Sequence, residues 1–333
     1  MMGDREDPRV VRYDTAMGLS TVFRSLPKGP RPKLDLRYEP KSGGMALKFT
    51  ASDALGIPEQ TLLLALLEIA QLSYNACPES ALLDENCPNE IGQQLWANLL
   101  GGRSVSDRQT LCFSTSWLEL AAHCGLSKGG TVQAMLQLQL QRLCQTTVWE
   151  YEESSSTPKC QSFLVGWVKG KSRSIHLVLN FRLSAAIFGE RYASISMVER
   201  LALSTDVARA VHAFLSSTLR LGVPLSIGLS TLAGRLWPDR GPKLVRGTDR
   251  RQKKSIRDAL HEISTLSGWT ISAGATEVLS ITRKTGGARD MTTRHFASRR
   301  STYREQSATK FFNVDADFGT FDASGLFSTR EEK

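Results

Sequence analysis

The sequence predicts an α+β protein of two tandem winged helix-turn-helix domains followed by a disordered C-terminal tail. Residues 225–283 read in order as a short strand, a helix, a strongly basic helix and a two-stranded hairpin, which is the order of a winged helix. The same order occurs upstream in residues 113–168. Beyond Gly286 the hydrophobic periodicity stops and the chain becomes polar and basic, which is typical of disorder.

The basic helix is predicted over residues 249–266. Thr248 and Asp249 are favourable N-cap residues, and apolar residues then recur at helical spacing on one face. These apolar positions are Ile256, Ala259, Leu260 and Ile263. The opposite face carries Arg250, Arg251, Lys254, Arg257 and His261.

The charge of this region predicts a polyanionic partner. From Arg235 to Arg257 there are nine Lys or Arg and two Asp, an excess of seven in a chain whose formal net charge is +9. Such a helix attracts DNA. The alternative is that the basic residues only solvate one side of the helix, as most charge runs do.

The elements on either side of the basic helix support the winged-helix interpretation. After it, Trp269 and Ile271 alternate up to a turn at Gly274, and Leu279 and Ile281 lead back, as in a hairpin. Before it, a supporting helix places four apolar residues on one face: Leu229, Leu232, Ala233 and Leu236.

The upstream copy has the same hydrophobic skeleton but a different surface. Leu136, Leu140, Leu143 and Trp149 match Ile256, Leu260, Ile263 and Trp269 at a constant offset. The outer face of its third helix carries Thr131, Ala134, Gln137, Leu138, Gln141 and Gln145, with Lys128 and Arg142 as the nearby charges. Gln pairs with adenine edges, whereas outward Ala134 and Leu138 suit a protein contact, and both interpretations stay open.

Four regions follow from this organisation. Residues 1–50 are predicted as an N-terminal arm and β-hairpin packing on the first domain, 51–170 as winged-helix domain 1, 171–285 as winged-helix domain 2, and 286–333 as the disordered tail. The hairpin is predicted to turn at residues 42–44, a helix to begin at Pro58, and Ser204 to cap a long amphipathic helix. The end of the tail alternates Phe with Asp, which indicates either a docking peptide or a segment that packs on its own domain.

Composition and missing motifs argue against several classes of protein. The six cysteines contain no C-x-x-C pair, and the five histidines do not cluster in the sequence. His261 begins a zincin-like motif, but Thr265 stands where the second histidine is required. With no P-loop and no dinucleotide fingerprint either, the chain is expected to have no catalytic residues, cofactor or metal. The charged N-terminus and the short apolar run Leu62–Leu67 predict a cytoplasmic protein without a membrane span.

Several blocks, in order and with characteristic spacing, carry a resemblance over about residues 11–285. They are GLSTVFRSLPKG, KLDLRY, LGIPEQTLLLALLEIA, SISMVERLALSTDVARAVHAFL, LSTLAGRLWP, RRQKKSIRDALHEISTLSGWTIS and SITR. In these the chain resembles the RepC-type replication initiators of IncQ-like plasmids. The resemblance implies two winged helices that bind repeats, the iterons, at the origin of vegetative replication, open adjacent AT-rich DNA and recruit the replicative helicase. It also implies that residues 250–257 read the major groove and that the first copy contributes DNA contacts and dimerisation. The tail beyond Gly286 departs from the family pattern.

The sequence therefore predicts double-stranded DNA as the partner, with the replicative helicase and self-association through domain 1 as further contacts. A transcriptional repressor acting at an operator is the main alternative, and a primase or nickase is a second one, which the missing motifs disfavour. The residues expected to contact DNA are Arg250, Arg251, Lys253, Lys254, Arg257, His261, Lys243, Arg246, Lys128, Thr131, Gln133, Gln137, Gln141 and Lys159.

Overall fold

A computed structural model describes residues 9–27, 29–40, 45–86, 90–100, 109–151, 158–168, 174–238, 246–273 and 277–284. Four of the sequence predictions lie outside these residues: the disordered tail at 286–333, the turn at 42–44, the turn at Gly274 and the DNA contact of Lys243. The described chain is a mixed α/β protein.

The helices and strands follow one another in three groups. The N-terminal group is β1 (Val10–Asp14), α1 (Thr15–Leu19), β2 (Phe23–Arg24), β3 (Leu34–Tyr38), β4 (Ala46–Ala51), β5 (Leu55–Gly56), α2 (Ile57–Ala76), α3 (Pro78–Ala81), β6 (Leu82–Leu83) and α4 (Glu90–Leu100). The middle group is β7 (Thr110–Ser116), α5 (Trp117–His123), α6 (Gly130–Cys144), β8 (Thr147–Tyr151), β9 (Lys159–Ser162), β10 (Leu164–Val168), β11 (Ser174–Leu179), α7 (Phe181–Phe188) and β12 (Tyr192–Ser196). The C-terminal group is α8 (Met197–Ala202), α9 (Asp206–Thr218), β13 (Leu225–Gly228), α10 (Leu229–Leu236), α11 (Arg246–Ser264), β14 (Trp269–Ala273) and β15 (Val278–Arg283).

Helix α2 is the centre of the fold. Its run Leu62–Leu67 is fully buried, since a helix that is apolar on all sides is stable only inside a core. It begins at Ile57, one residue before the predicted start, with Pro58 in its first turn. The Glu59 carboxylate accepts a hydrogen bond from the backbone N–H of Gly56 at 2.9 Å, which satisfies a free donor at the helix start.

One hydrophobic core extends through both halves of the chain, from Val11 to Ile281. Strand β1 contributes to this continuity because it pairs antiparallel with β12, with Val10 opposite Ser196. The N-terminal strand is thus bonded to a strand within the predicted second domain. The proposed division at residue 170 remains a prediction.

The C-terminal group of elements, hereafter the C-terminal unit, contains the predicted element order. Strands β13, β15 and β14 form an antiparallel sheet in that spatial order, and α11 packs on α9, α10 and β14. The predicted apolar face of α11 is buried, at Ile256, Ala259, Leu260 and Ile263, and so is the face of α10, at Leu229, Leu232, Ala233 and Leu236.

Two helix starts differ from the sequence prediction. Helix α11 begins at Arg246 rather than at residue 249, so Asp249 lies in its first turn. A negative charge at this end of a helix interacts favourably with the helix dipole. Helix α9 is capped by Thr205, whose hydroxyl accepts from the backbone N–H of Ala208 at 3.1 Å, and not by Ser204. The backbone N–H of Ser204 instead donates to the Glu262 carboxylate on α11, and this contact fixes the position of the cap.

The middle group of elements, hereafter the middle unit, repeats the element order of the C-terminal unit but not its strand pairing. Strand β8 pairs with β4 and β9 in the sheet β3-β4-β8-β9, and β7 pairs with β11 and β6 in the sheet β10-β11-β7-β6. In the C-terminal unit, by contrast, the first strand β13 pairs directly with the hairpin strand β15. In the middle unit β11 pairs with β7 instead, and the N-terminal hairpin β3–β4, with Leu34 opposite Ala51, adds β4 beside β8.

Candidate nucleic-acid interface

Helix α11 presents a cationic face to solvent. The side chains of Arg250, Arg251, Lys254, Arg257 and His261 are exposed, while Ile256 and Ile263 are both completely buried on the other side. The helix is held by α9 and α10 beneath it and by β14 beside it. Because the apolar face fixes the rotation of the helix, the basic side chains project together into water. Arg246 is the first residue of this helix.

Lys253 differs from its neighbours because two carboxylates hold it. Its Nζ donates to Glu277 at 2.7 Å and lies 3.2 Å from Asp249, one turn earlier in the helix. The hydrogen bond to Glu277 is the main reason that the pKa of Lys253 is raised. The Arg257 guanidinium lies 3.5 Å from the same Glu277 carboxylate. Two of the residues expected to contact DNA are thus already opposite a negative charge of the hairpin.

A partly buried polar network fixes the hairpin against the rest of the unit. The Glu199 carboxylate on α8 accepts from His212 Nε2 at 2.8 Å, from Trp269 Nε1 at 3.1 Å and from Arg283 at 3.0 Å. Arg283 also lies over the Trp269 ring, 4.9 Å from its centroid.

The network determines the charge states of its members. Burial raises the pKa of Glu199, but the His212 hydrogen bond and the positive charge of Arg283 outweigh this, so the net pKa is lowered. Burial lowers the pKa of His212, and its hydrogen bond to Glu199 offsets this only in part. Neutral His212 therefore donates to an ionised Glu199. Sequence patterns do not reveal the pairing of His212 with Glu199, since a lone histidine on an apolar helix face gives no sign of its partner.

Helix α6 carries the corresponding face of the middle unit. Thr131, Gln133, Ala134 and Gln145 are exposed, whereas Gln137 and Gln141 are half-buried. Met135 and Leu138 on this helix remain 39% and 48% exposed. Lys128 in the preceding loop and Lys159 on β9 are also exposed. This face therefore combines polar and apolar side chains and carries few cationic ones.

Arg142 does not add to the charge of that face. Its guanidinium donates to Asp53 and to Glu59, both at 3.1 Å. Glu59 is fully buried and also pairs with Arg31 at 3.0 Å. Arg142 therefore neutralises a buried carboxylate between α6 and α2, which leaves Lys128 as the cation that precedes α6.

The described residues show neither a metal centre nor a membrane span. They contain no group of three or more His, Cys, Asp or Glu side chains placed to hold a metal ion. Among them, no helix combines the length and hydropathy needed to cross a bilayer.

The fold and its charged face define a mixed α/β protein that presents a cationic helix beside an antiparallel hairpin. A family model described as Replication protein C (RepC) matches residues 6–285. The chain therefore belongs to the RepC family of replication proteins, and this membership assigns it to replication initiation.

The chain is similar in fold to a solved structure at low sequence identity. Domains 2 and 3 of RctB match with a TM-score of 0.51 at 10% identity, over 81% of this chain and 98% of that one. The Pi initiator protein in complex with iteron DNA matches with a TM-score of 0.45 at 11% identity, over 83% of this chain and 97% of that one. No curated protein matches the chain.

Proposed function

We propose that this protein initiates plasmid DNA replication as a tandem winged-helix protein. It binds iteron repeats at the origin of vegetative replication, promotes opening of the adjacent AT-rich DNA and recruits the replicative helicase. Membership of the RepC family supports the initiation role. The observation that carries the DNA contact is the exposed cationic face of α11, on a helix whose opposite side is buried.

The C-terminal unit provides most of the affinity. In this proposal α11 is the recognition helix of a winged helix and β14–β15 is its wing. Arg250, Arg251 and Lys254 project from one side of α11, which suits contacts with phosphates and with base edges of one major groove. Lys243 and Arg246, which precede Arg250 in the sequence, are proposed to add to this contact, and His261 extends it toward the end of the helix.

The middle unit has the complementary role. Helix α6 reads an adjacent groove through Thr131, Gln133, Gln137 and Gln141, with phosphate contacts from Lys128 and Lys159, or it pairs two protomers through its apolar residues. Two recognition helices in successive major grooves cover one to two turns of DNA, which matches a repeat of about 20 base pairs. Affinity and register are thus assigned to different units.

The test compares two triple variants that remove equal charge. R250A/R251A/K254A changes α11, and K33A/R220A/K284A changes exposed cations outside it. Binding to the origin repeats is measured by fluorescence anisotropy over a range of salt concentrations. The α11 variant is expected to lose specific binding, with a salt slope reduced by about 2 to 3 because each lost phosphate contact contributes about 0.9. Unchanged binding by this variant overturns the assignment of α11.

A replication assay tests initiation itself. A plasmid that carries the cognate repeats and AT-rich segment, in a host without another initiator for it, is expected to replicate only when this protein is supplied. DNA binding without replication would identify an operator-binding repressor instead.

A further inference from the structure

Glu277 joins the hairpin to both helices of the C-terminal unit. Its backbone carbonyl accepts from the N–H of Leu229, the first residue of α10, at 3.0 Å. Its carboxylate lies 2.7 Å from Lys253 Nζ and 3.5 Å from the Arg257 guanidinium on α11. The backbone contact positions the residue, and its side chain then lies against the cationic face.

The carboxylate is accessible to solvent. The side chains of Glu277 and Arg257 are 51% and 54% exposed, and that of Lys253 is 20% exposed. Ion pairs in such positions contribute little to folding stability, because water screens them. They can therefore exchange for another anion without loss of the fold, and a DNA phosphate is the anion that α11 is proposed to meet.

We infer that Glu277 is an internal competitor for DNA phosphate, which holds Lys253 and Arg257 in the free protein and withholds them from DNA of any sequence. The inference rests on the proposed function. Non-specific binding depends almost entirely on phosphate contacts. A carboxylate that occupies two cations of the face therefore lowers non-specific affinity, while Arg250, Arg251 and Lys254 remain available for the repeats.

The experiment uses the full chain with the Glu277→Gln substitution, which removes the charge and keeps the shape and the backbone contact with Leu229. The control is Glu190→Gln, which makes the same change of charge at an exposed residue outside α11. Binding to a duplex without the repeats is measured by anisotropy at several KCl concentrations. E277Q is expected to bind this duplex about tenfold more tightly, with a salt slope steeper by about 1, because Arg257 becomes free to contact a phosphate while Lys253 keeps its ion pair with Asp249. E190Q is expected to stay within about twofold of the wild type, since Glu190 follows α7 and lies outside α11 and its hairpin.

Two results overturn the inference: an E277Q affinity equal to that of E190Q, or weaker DNA binding by E277Q. The second would mean that the ion pairs position the hairpin for binding. Thermal unfolding of both variants establishes that the fold is retained. A wild-type protein that binds neither duplex contradicts the proposed function itself. Normal wild-type binding to the repeats with no change in E277Q contradicts only the role of Glu277.

Discussion

Arg200 on α8 donates to the Thr61 hydroxyl on α2 at 2.9 Å, across 139 residues of sequence. The same guanidinium donates to the side-chain oxygen of Gln60 at 3.1 Å and to the backbone carbonyl of Arg209 at 3.0 Å. Arg200 is completely buried, and this burial lowers its pKa to about 9. Because these acceptors are neutral, the charge is compensated by hydrogen bonds that join the central helix to the C-terminal unit.

Replacement of Arg200 by Ala is expected to destabilise the protein by about 3 kcal/mol. The change leaves a cavity and deprives the Gln60 and Arg209 oxygens of their buried donor. The measurement is chemical denaturation followed by circular dichroism. Arg209→Ala is the control, since the side chain of Arg209 makes a partly exposed ion pair with Asp206 and its loss is expected to cost less than about 1 kcal/mol. Equal stability of the two variants would contradict a special role for Arg200.

Acid is expected to destabilise the protein in two steps. The pKa of His212 is lower in the folded protein than its ordinary value of 6.5, so below that pH the unfolded chain binds a proton that native His212 does not. Stability contributed by neutral His212 is thus present above pH 6.5 and declines as the pH falls, by at most about 1.4 kcal/mol per pH unit. The pKa of Glu199 is lowered from 4.5, so its contribution is lost only in stronger acid, as the pH falls toward the folded-state value.

The measurement for the first step is the free energy of unfolding at several pH values between 7 and 5.5. His212→Gln is expected to flatten this dependence, because it removes the group that titrates. His261→Gln changes an exposed histidine and is expected to keep the wild-type slope. A wild-type slope in H212Q would show that another group causes the acid sensitivity.

Hydrophobic periodicity predicted which faces of the helices are buried, but not which elements they pack against or which strands pair. The helical spacing of Ile256, Leu260 and Ile263 was sufficient to place the cationic side of α11 in solvent, since the apolar face determines the rotation. The predicted start of α11 was wrong by three residues, because Asp is equally favourable as an N-cap residue and in the first helical turn. The order of elements also predicted a hairpin after α6, but order along a chain does not determine which strand lies beside it, and β4 takes that place.

The ion pairs of the site could not be predicted for a related reason. Glu277 is 24 residues from Lys253, and Asp53 is 89 residues from Arg142. A pattern read along one helix shows only which cations share a face. Whether a carboxylate from another element reaches them depends on the tertiary packing. Consequently the charge available to DNA is smaller than the sequence indicates.

Arg142 and Lys128 are expected to respond to substitution in opposite ways. R142A leaves the buried Glu59 carboxylate with Arg31 as its remaining cation, and we expect a loss of about 2 to 3 kcal/mol in stability with an unchanged salt slope of DNA binding. K128A removes an exposed cation, so we expect unchanged stability and a salt slope reduced by about 1. Denaturation and anisotropy on both variants check this. A reduced salt slope in R142A would place Arg142 on a phosphate.

The two proposed roles of α6 are separable because its polar and apolar residues are different side chains. We expect Leu138→Asp to weaken self-association at least tenfold, a change of about 1.4 kcal/mol, because a charge would be buried in a contact between copies at a residue that is 48% exposed in the single chain. Sedimentation velocity over a concentration series measures this. Leu72→Asp, at a leucine that is 56% exposed on α2, is the control and should associate as the wild type does. If L138D instead associates normally and Gln137→Ala with Gln141→Ala relaxes sequence preference, α6 reads DNA and does not pair protomers.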